Sequence, residues 1–431
     1  MFIKNVRVQN FKSFETLELQ LNRLNILIGA NASGKSNFIS LLKFIKDIAL
    51  HGLDNAVSMQ GGIEYLRNTY LGNSINTSIE ISIGFGETPN ISISGPKPEE
   101  LTCITINEIN YKFELEYYKR KKGFKISQDE LKVEYDYVQF VRKDNNLPER
   151  QVLGPGKTVL VNNRGNLKIE VRKPDKIDIP TDSTLPILAQ MGKNFPFQRK
   201  IPAQTLILEH PWIEIFLLPI GIQGSFASIP IYDFDPKLAK KAIPVSGKKE
   251  LEEDGSNLAI VLKHILSSAE DRRKFSNIVK DILPFVANVS TEKFAGQSLI
   301  IHLKEIYAKD KSLPAFLISD GTMNITALIL ALYFEKKPVV VFEEIERGIH
   351  PSLISRVIDL MVEVSKDKQI FVTTHNPQVI KHAPHESILL VSRDKSGFST
   401  ITRPLEREEI QIFLQNDLGV EDLYVQNMLE L

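Results

Sequence analysis

With 431 residues, 42% of them hydrophobic and 25% charged, the chain is long enough for two or three structural units and apolar enough to bury a substantial core. Lys and Arg total 53 and so do Asp and Glu, which excludes wholesale electrostatic attraction to nucleic acid or to a membrane surface and leaves room only for a local basic patch. The single cysteine, Cys103, excludes a disulfide framework and a cysteine-rich metal site. Apolar runs are too short to span a bilayer, and the opening MFIKNVRVQNFKSF carries charges where a signal peptide needs an apolar stretch, so the expected compartment is the cytoplasm, with no membrane partner.

Residues 2–9 alternate apolar and polar and read as a strand; 17–21 read as a second and 24–28 (LNILI) as a third, ending at Gly29. Residues 35–50 place apolar side chains at 38, 39, 41, 42, 45, 48 and 49, which is helical spacing. From about 75 to 175, short alternating segments such as INTSIEISIGF and LKVEYDYVQFV sit between Gly, Asn and Pro residues and read as antiparallel strands and hairpins. Residues 176–250 are Pro-rich and irregular, with room for a few short helices. Residues 256–284 read as two helices broken near Ser267 and Ser268, and strands return after 287. The final stretch alternates: helix 319–335, strand 338–342, helix 351–365, strand 369–373, helix 377–382, strand 387–391. That rhythm implies a parallel sheet with helical crossovers. No repeat or sustained heptad pattern is visible. The expected class is α/β, with an N-terminal part of the main domain at 1–74, a β-rich and irregular insertion at 75–250, and a helical segment plus the rest of the main domain at 251–431.

Gly29-Ala30-Asn31-Ala32-Ser33-Gly34-Lys35-Ser36 matches GxxxxGK[ST] and lies between a strand and a helix, the context a phosphate-binding loop requires. The glycines permit positive φ and close backbone approach. N–H groups at the helix start can face phosphate oxygens, Lys35 can reach the β- and γ-phosphates, and Ser36 can ligate Mg²⁺. The plain alternative, a Gly/Ser turn that caps a helix, does not account for the full motif in this setting. PVVVFEE (338–344) delivers two carboxylates at the end of an apolar strand, the edge where ligands of open α/β sheets bind. Glu343 is assigned to the metal and Glu344 to the attacking water. LISDGTMNI (317–325) is a polar turn opening a helix, for which Ser319 is also a good N-cap and Asp320 a favourable first-turn residue. FVTTHNP (371–377) ends a strand at His375.

Taken together these motifs resemble an ABC-type ATPase of the SMC/RecF-like branch, and more narrowly the RecF-like and OLD-like bacterial ATPases of phage-defence and toxin systems. The opening VRVQNFKSFETLEL resembles their start. Gly29 to Ser36 followed by Asn37 is similar to their Walker A, ISDGT (318–322) to their signature, and FEEIERGIHP (342–351) to their Walker B and D-loop. His375 matches the switch histidine, and EEDGSNLAIVL (252–262) resembles a segment before their helical part. The likeness covers roughly 1–70 and 250–431. It implies an ABC-type head that binds ATP and Mg²⁺ through Gly29, Asn31, Ser33, Gly34, Lys35, Ser36 and Asn37. It also implies head-to-tail pairing, in which Ser319 and Gly321 contact the γ-phosphate held by the other chain and His375 contacts it too. Gln60 in SMQGGIEYLRN matches the position of a Q-loop glutamine, coordinating Mg²⁺ and the water. Glu343 stands where such proteins commonly have Asp, and Ile345 where proline often follows the base.

Three uses of such a head fit the chain. It could gate a separate effector, a nuclease or toxin, in an antiviral module; it could be a RecF-like DNA-binding ATPase of genome maintenance; or it could carry its own nuclease. The third is not expected, because OLD-like nucleases carry a Toprim domain after the switch histidine, whereas ILLVSRDKSG (388–397) holds a lone Asp394 and no DxD pair. His210 and the scattered acids of the 75–245 region form no metal-spaced cluster either. The basic runs YYKRKKGFK (117–125) and KLAKKAIPVSGKKE (237–250) are the candidates for DNA contact. The tail LEREEIQIFLQNDLGVEDLYVQNMLEL is apolar at helical spacing and suited to packing on the head or to docking a partner. A homodimer or larger homo-oligomer is expected.

Overall fold

The computed structural model describes residues 1–71, 75–84, 90–93, 100–118, 123–141, 149–172, 174, 199–213, 221–294, 296–309 and 311–404. The tail from 405 and the basic stretch 119–122 lie outside the described residues. The chain divides into two compact units. One contains Met1–Leu21, Ser36–Ser228 and Arg393–Thr400; the other contains Asn22–Lys35, Ile229–Ser392 and the residues from Ile401.

The first unit is an antiparallel sheet with a helix on it. Strand Phe2–Phe11 pairs on one side with Phe14–Gln20 and on the other with Thr77–Gly84. The sheet continues through Glu100–Tyr117, Phe124–Val141, Glu149–Asn163, Asn166–Arg172 and Arg199–Lys200. The first two strands and the strands after residue 77 therefore share one sheet. Period-two alternation explains the core: Val6 and Val8, with Ile79 and Ile81 opposite them, are all buried. The helix Lys35–His51 buries Phe38, Leu41, Leu42, Phe44, Ile45 and Ile48, and the Phe44 ring sits 6.0 Å from Phe11 and 6.4 Å from Phe113. Gly156 is required by its neighbours, since a Cβ there would come within 2.1 Å of the Tyr135 ring.

The second unit is built on parallel strands in the order Ile231–Tyr232, Val339–Glu343, Gln369–Thr374, Leu24–Ile28, Ile388–Arg393. Every residue of Leu24–Ile28 and of Gln369–Thr374 is buried, as in a sheet covered on both faces. The helices Asp320–Tyr333 and Pro351–Val364 supply apolar cover. The expected break at Ser267 and Ser268 is a true boundary: helix Leu258–Ser267 ends, and Ser268 Oγ accepts from Asp271 N (3.3 Å) to cap helix Ala269–Ile282. A small antiparallel sheet, Val286–Phe294 with Ser298–Glu305, follows. Among the described residues no helix is long and apolar enough to cross a membrane.

One buried charge stands out in the first unit. Asp129 is fully buried and accepts from Tyr111 Oη (3.0 Å), Asn162 Nδ2 (2.8 Å) and Ile207 N (2.8 Å). Burial outweighs these donors and pushes its carboxyl up to about 7. The native state therefore holds a proton that the unfolded chain has lost, so the stability this group contributes is full below its ordinary value and is lost as pH rises towards about 7. We expect denaturant titrations to show wild type losing stability relative to Asp129→Asn between about pH 4 and 7, by at most about 4 kcal/mol, with the difference constant above that range. A pH-independent difference would refute the assignment.

Candidate active site

Parallel register builds the site. Thr374 aligns with Ile28, and Glu343 aligns with Thr373. The residues leaving the C-terminal ends of three adjacent strands are therefore Gly29, His375 and Glu344. The sheet places the phosphate-loop motif, the histidine and the acidic pair along one edge, where ligands of open α/β sheets bind.

The loop is shaped by its small residues. A Cβ on Gly29 would come within 2.0 Å of the Val391 carbonyl oxygen, so only glycine fits where the loop leaves its strand. Ala32 (φ 64°) and Gly34 (φ 125°) turn the backbone through conformations that larger side chains resist. Asn31 and Ala32 are exposed, whereas Ser33 and Gly34 are buried. Lys35 folds back over the loop, its Nζ donating to the Gly29 and Ala30 carbonyls at 2.6 and 2.9 Å. Burial lowers the lysine pKa, while the charges of Glu344 and Glu346 oppose that fall. An ammonium held over a glycine-bounded turn that opens a helix fits a polyphosphate. Among the described residues no group of three or more His, Cys, Asp or Glu side chains gathers to hold a metal alone. Mg²⁺ suits such a place, because it is usually held by one or two protein oxygens together with phosphates and water.

Glu343 is the last residue of its strand and half-buried. Glu344 takes a left-handed backbone (φ 47°), unusual outside glycine, and its N–H donates to the Thr373 carbonyl (3.0 Å). The conformation turns the chain off the strand with Ile345 as the next residue. The Glu344 carboxylate accepts from Arg347 Nη2 (3.0 Å), and Arg347 Nη1 donates to Asp233 (2.6 Å). His375 Nδ1 lies 4.0 Å from Glu344 Oε1 and 3.5 Å from Glu346 Oε1. The turn after His375 has a local cause: Asn376 Oδ1 accepts from Gln378 N (2.9 Å) and caps the helix Pro377–His382, whose first residue is proline.

Ser319 and Gly321 open helix Asp320–Tyr333. Ser319 is exposed and its Oγ accepts from Thr322 N (3.2 Å), a helix cap. Gly321 is buried, and a Cβ there would come within 2.3 Å of the Gly348 carbonyl oxygen. Its glycine is thus demanded by packing inside the unit. Lys240, from the second basic run, is ion-paired with Asp320, so that lysine already has an internal partner.

Three expected site residues fall in the other unit. Ser36 is exposed and directly follows Lys35. Asn37 donates through Nδ2 to Ser13 Oγ (2.6 Å), which also accepts from Ser399 Oγ (2.7 Å). Gln60 ends helix Leu53–Met59, its N–H donating to the Ala56 carbonyl (3.2 Å).

Two family models match the chain. One, described as an AAA ATPase domain, matches residues 1–178; the other, described as an AAA domain, putative AbiEii toxin, Type IV TA system, matches residues 225–381. Both parts of the chain resemble ATPase domains. A Helicobacter pylori protein named ATP/GTP phosphatase is 20% identical over 435 residues, covering 96% of this chain and 98% of that protein. A DNA replication and repair protein RecF from Exiguobacterium is 48% identical over 40 residues, covering 9% of this chain and 11% of that protein. Among solved structures, an SMC head bound to the C-terminal winged-helix domain of ScpA is 17% identical with a TM-score of 0.49, covering 93% of this chain and 98% of that one. The SMC head domain from Thermotoga maritima is 14% identical with a TM-score of 0.44, covering 94% and 99%.

Sequence pattern did not single out Glu346 and Arg347. Both lie within three residues of Glu344, in a stretch that reads as a solvated loop, and their roles appear only when Thr374, His375 and Asp233 are brought beside them. Gly29→Ala is expected to abolish ATP binding in calorimetry and to cost about 1–3 kcal/mol of stability, because Val391 is backbone and cannot yield cheaply. Normal binding in that variant would mean that the loop is not held as described.

Proposed function

We propose that the chain is a Mg²⁺-dependent ATPase head that binds ATP at the loop 29–36, pairs head to tail with a second copy, and controls a separate effector, a nuclease or toxin in an antiviral module. The observation that carries the ATPase reading is the parallel pairing that puts Gly29, His375 and Glu344 just past the C-terminal ends of three adjacent strands. Two matches to ATPase domain models support it, and the toxin system named in one of their descriptions supports the effector.

In this reading Lys35 neutralises the β- and γ-phosphates. Ser36 and Glu343 hold Mg²⁺, which supplies charge neutralisation on the phosphates when bound. Glu344 accepts the proton of the attacking water, and His375 contacts the γ-phosphate. Ser319 and Gly321 would meet the nucleotide of the partner copy through the helix N-terminus they open. By resemblance alone, Asn37 is assigned to the nucleotide and Gln60 to Mg²⁺ and the attacking water. In the unpaired head, Arg347 holds the Glu344 carboxylate. Activation therefore includes release of that ion pair, and turnover without a trigger is slow.

The 40-residue likeness to a RecF protein favours a second reading, a DNA-binding ATPase of genome maintenance. Pull-down from the native host with Glu344→Gln and ATP separates the two: a nuclease or other toxic enzyme supports the first, and DNA with repair proteins supports the second.

Lys35→Ala is expected to remove ATP binding and turnover. Glu344→Gln should bind ATP, lose roughly 100-fold or more in kcat, and accumulate the paired state in light scattering. Ser319→Arg should block pairing while leaving ATP binding by the single head intact. Unchanged turnover in the Lys35 variant would remove the site, and an active, paired Ser319 variant would remove the partner-facing role.

A further inference from the structure

We propose that Glu346 is a positioning residue that fixes the ring of His375 for the nucleotide; the inference rests on the ATPase reading of this site. Glu346 leaves only 7% of its side chain exposed, an unusual place for a carboxylate without a lysine or arginine bonded to it. Its Oε1 accepts from Thr374 Oγ1 (2.8 Å) and from the His375 backbone N–H (3.2 Å), and lies 3.5 Å from His375 Nδ1. Its Oε2 is buried and has no hydrogen-bond partner among the described residues. A buried acceptor left open is costly, and here it belongs to a carboxylate already bonded to the histidine's own backbone and to the residue before it.

The arrangement fixes three things at once. The Thr374 hydroxyl and the His375 N–H hold the carboxylate against the strand end. The carboxylate then offers an acceptor on the Nδ1 side of the imidazole, which selects the ring form with a proton on Nδ1 and turns Nε2 to the far edge. The same carboxylate bears on Lys35, whose charge feels both Glu344 and Glu346. One buried side chain thus links the phosphate-loop lysine to the switch histidine within a single unit. Glu344 is a poorer holder of the ring: its nearer oxygen is 4.0 Å from Nδ1, and its other oxygen is engaged by Arg347.

The test has two readouts. Long-range ¹H–¹⁵N spectra of the nucleotide-free protein, with His375 assigned by its loss in His375→Ala, report the ring form. We expect Nδ1–H in wild type, loss of that bias in Glu346→Ala, and its partial return in Glu346→Gln, which keeps an acceptor oxygen. In turnover assays Glu346→Ala should lower kcat about tenfold or more with ATP affinity nearly unchanged. The same change should have a much smaller effect in a His375→Ala background, where only the influence of the carboxylate on Lys35 is left to lose. An unbiased ring in wild type, or equal kcat losses from Glu346→Ala in both backgrounds, would overturn the proposal. The ATPase reading fails differently: wild-type turnover would then be absent or indifferent to Lys35→Ala, while the spectra would still decide whether Glu346 holds the ring.

Discussion

The register of three parallel strands is the constraint on which the site depends. Leu24–Ile28, Gln369–Thr374 and Val339–Glu343 come from widely separated parts of the chain, and each is buried through nearly its whole length. Such strands have no solvent face to identify a register, so pairing is set by backbone hydrogen bonds and the packing of both faces. A slip of one residue would turn every side chain to the opposite face and move Glu344, His375 and Gly29 out of line. The polar groups that end the strands are held in turn by hydrogen bonds between neighbouring strand ends. The Thr373 carbonyl accepts from the Glu344 N–H, the Thr374 hydroxyl donates to Glu346, and Asn376 caps the next helix. Chemistry is thus placed by a rigid apolar sheet and trimmed by local caps.

The acidic turn after Val339–Glu343 serves two purposes that compete. Glu344 needs a left-handed backbone to leave the strand at once, and the turn through Arg347 and Gly348 returns the chain to the helix Pro351–Val364. That return brings Gly348 against Gly321, so the turn that opens helix Asp320–Tyr333 and the acidic turn touch through two residues without side chains. It also brings Arg347 onto the carboxylate expected to act as base, with Asp233 steadying the guanidinium. The Glu344 carboxylate is therefore restrained by an ion pair from its own turn. Because both sides of the ion pair are partly exposed, the restraint is weak enough to be broken by a competing ligand.

Much of this was legible in the chain. The phosphate loop, the VVVF strand with its two acids and the strand ending at His375 are local patterns, and each falls at the expected element end. What could not be read was non-local. The pairing of Val6 with Ile81 and Leu19, which joins the first two strands to the long hairpins, has no local signature. Glu346 looks like any loop acid until Thr374 is placed beside it, and the packing demand for glycine at 321 is invisible until Gly348 is found against it. The Asn37 side chain, expected at the nucleotide, has a partner in Ser13, 24 positions earlier in the chain.

In the proposed reaction one nucleotide is served jointly by the loop at Gly29, the carboxylate at Glu344 and the imidazole at His375. A crystal structure of the Glu344→Gln protein grown with ATP and Mg²⁺ is the decisive measurement. The triphosphate is expected to be wrapped by residues 29–35, with Lys35 and His375 on the γ-phosphate and the residue 344 side chain facing the water in line for attack. A nucleotide bound elsewhere, or one whose γ-phosphate points away from both 344 and 375, would refute the joint site.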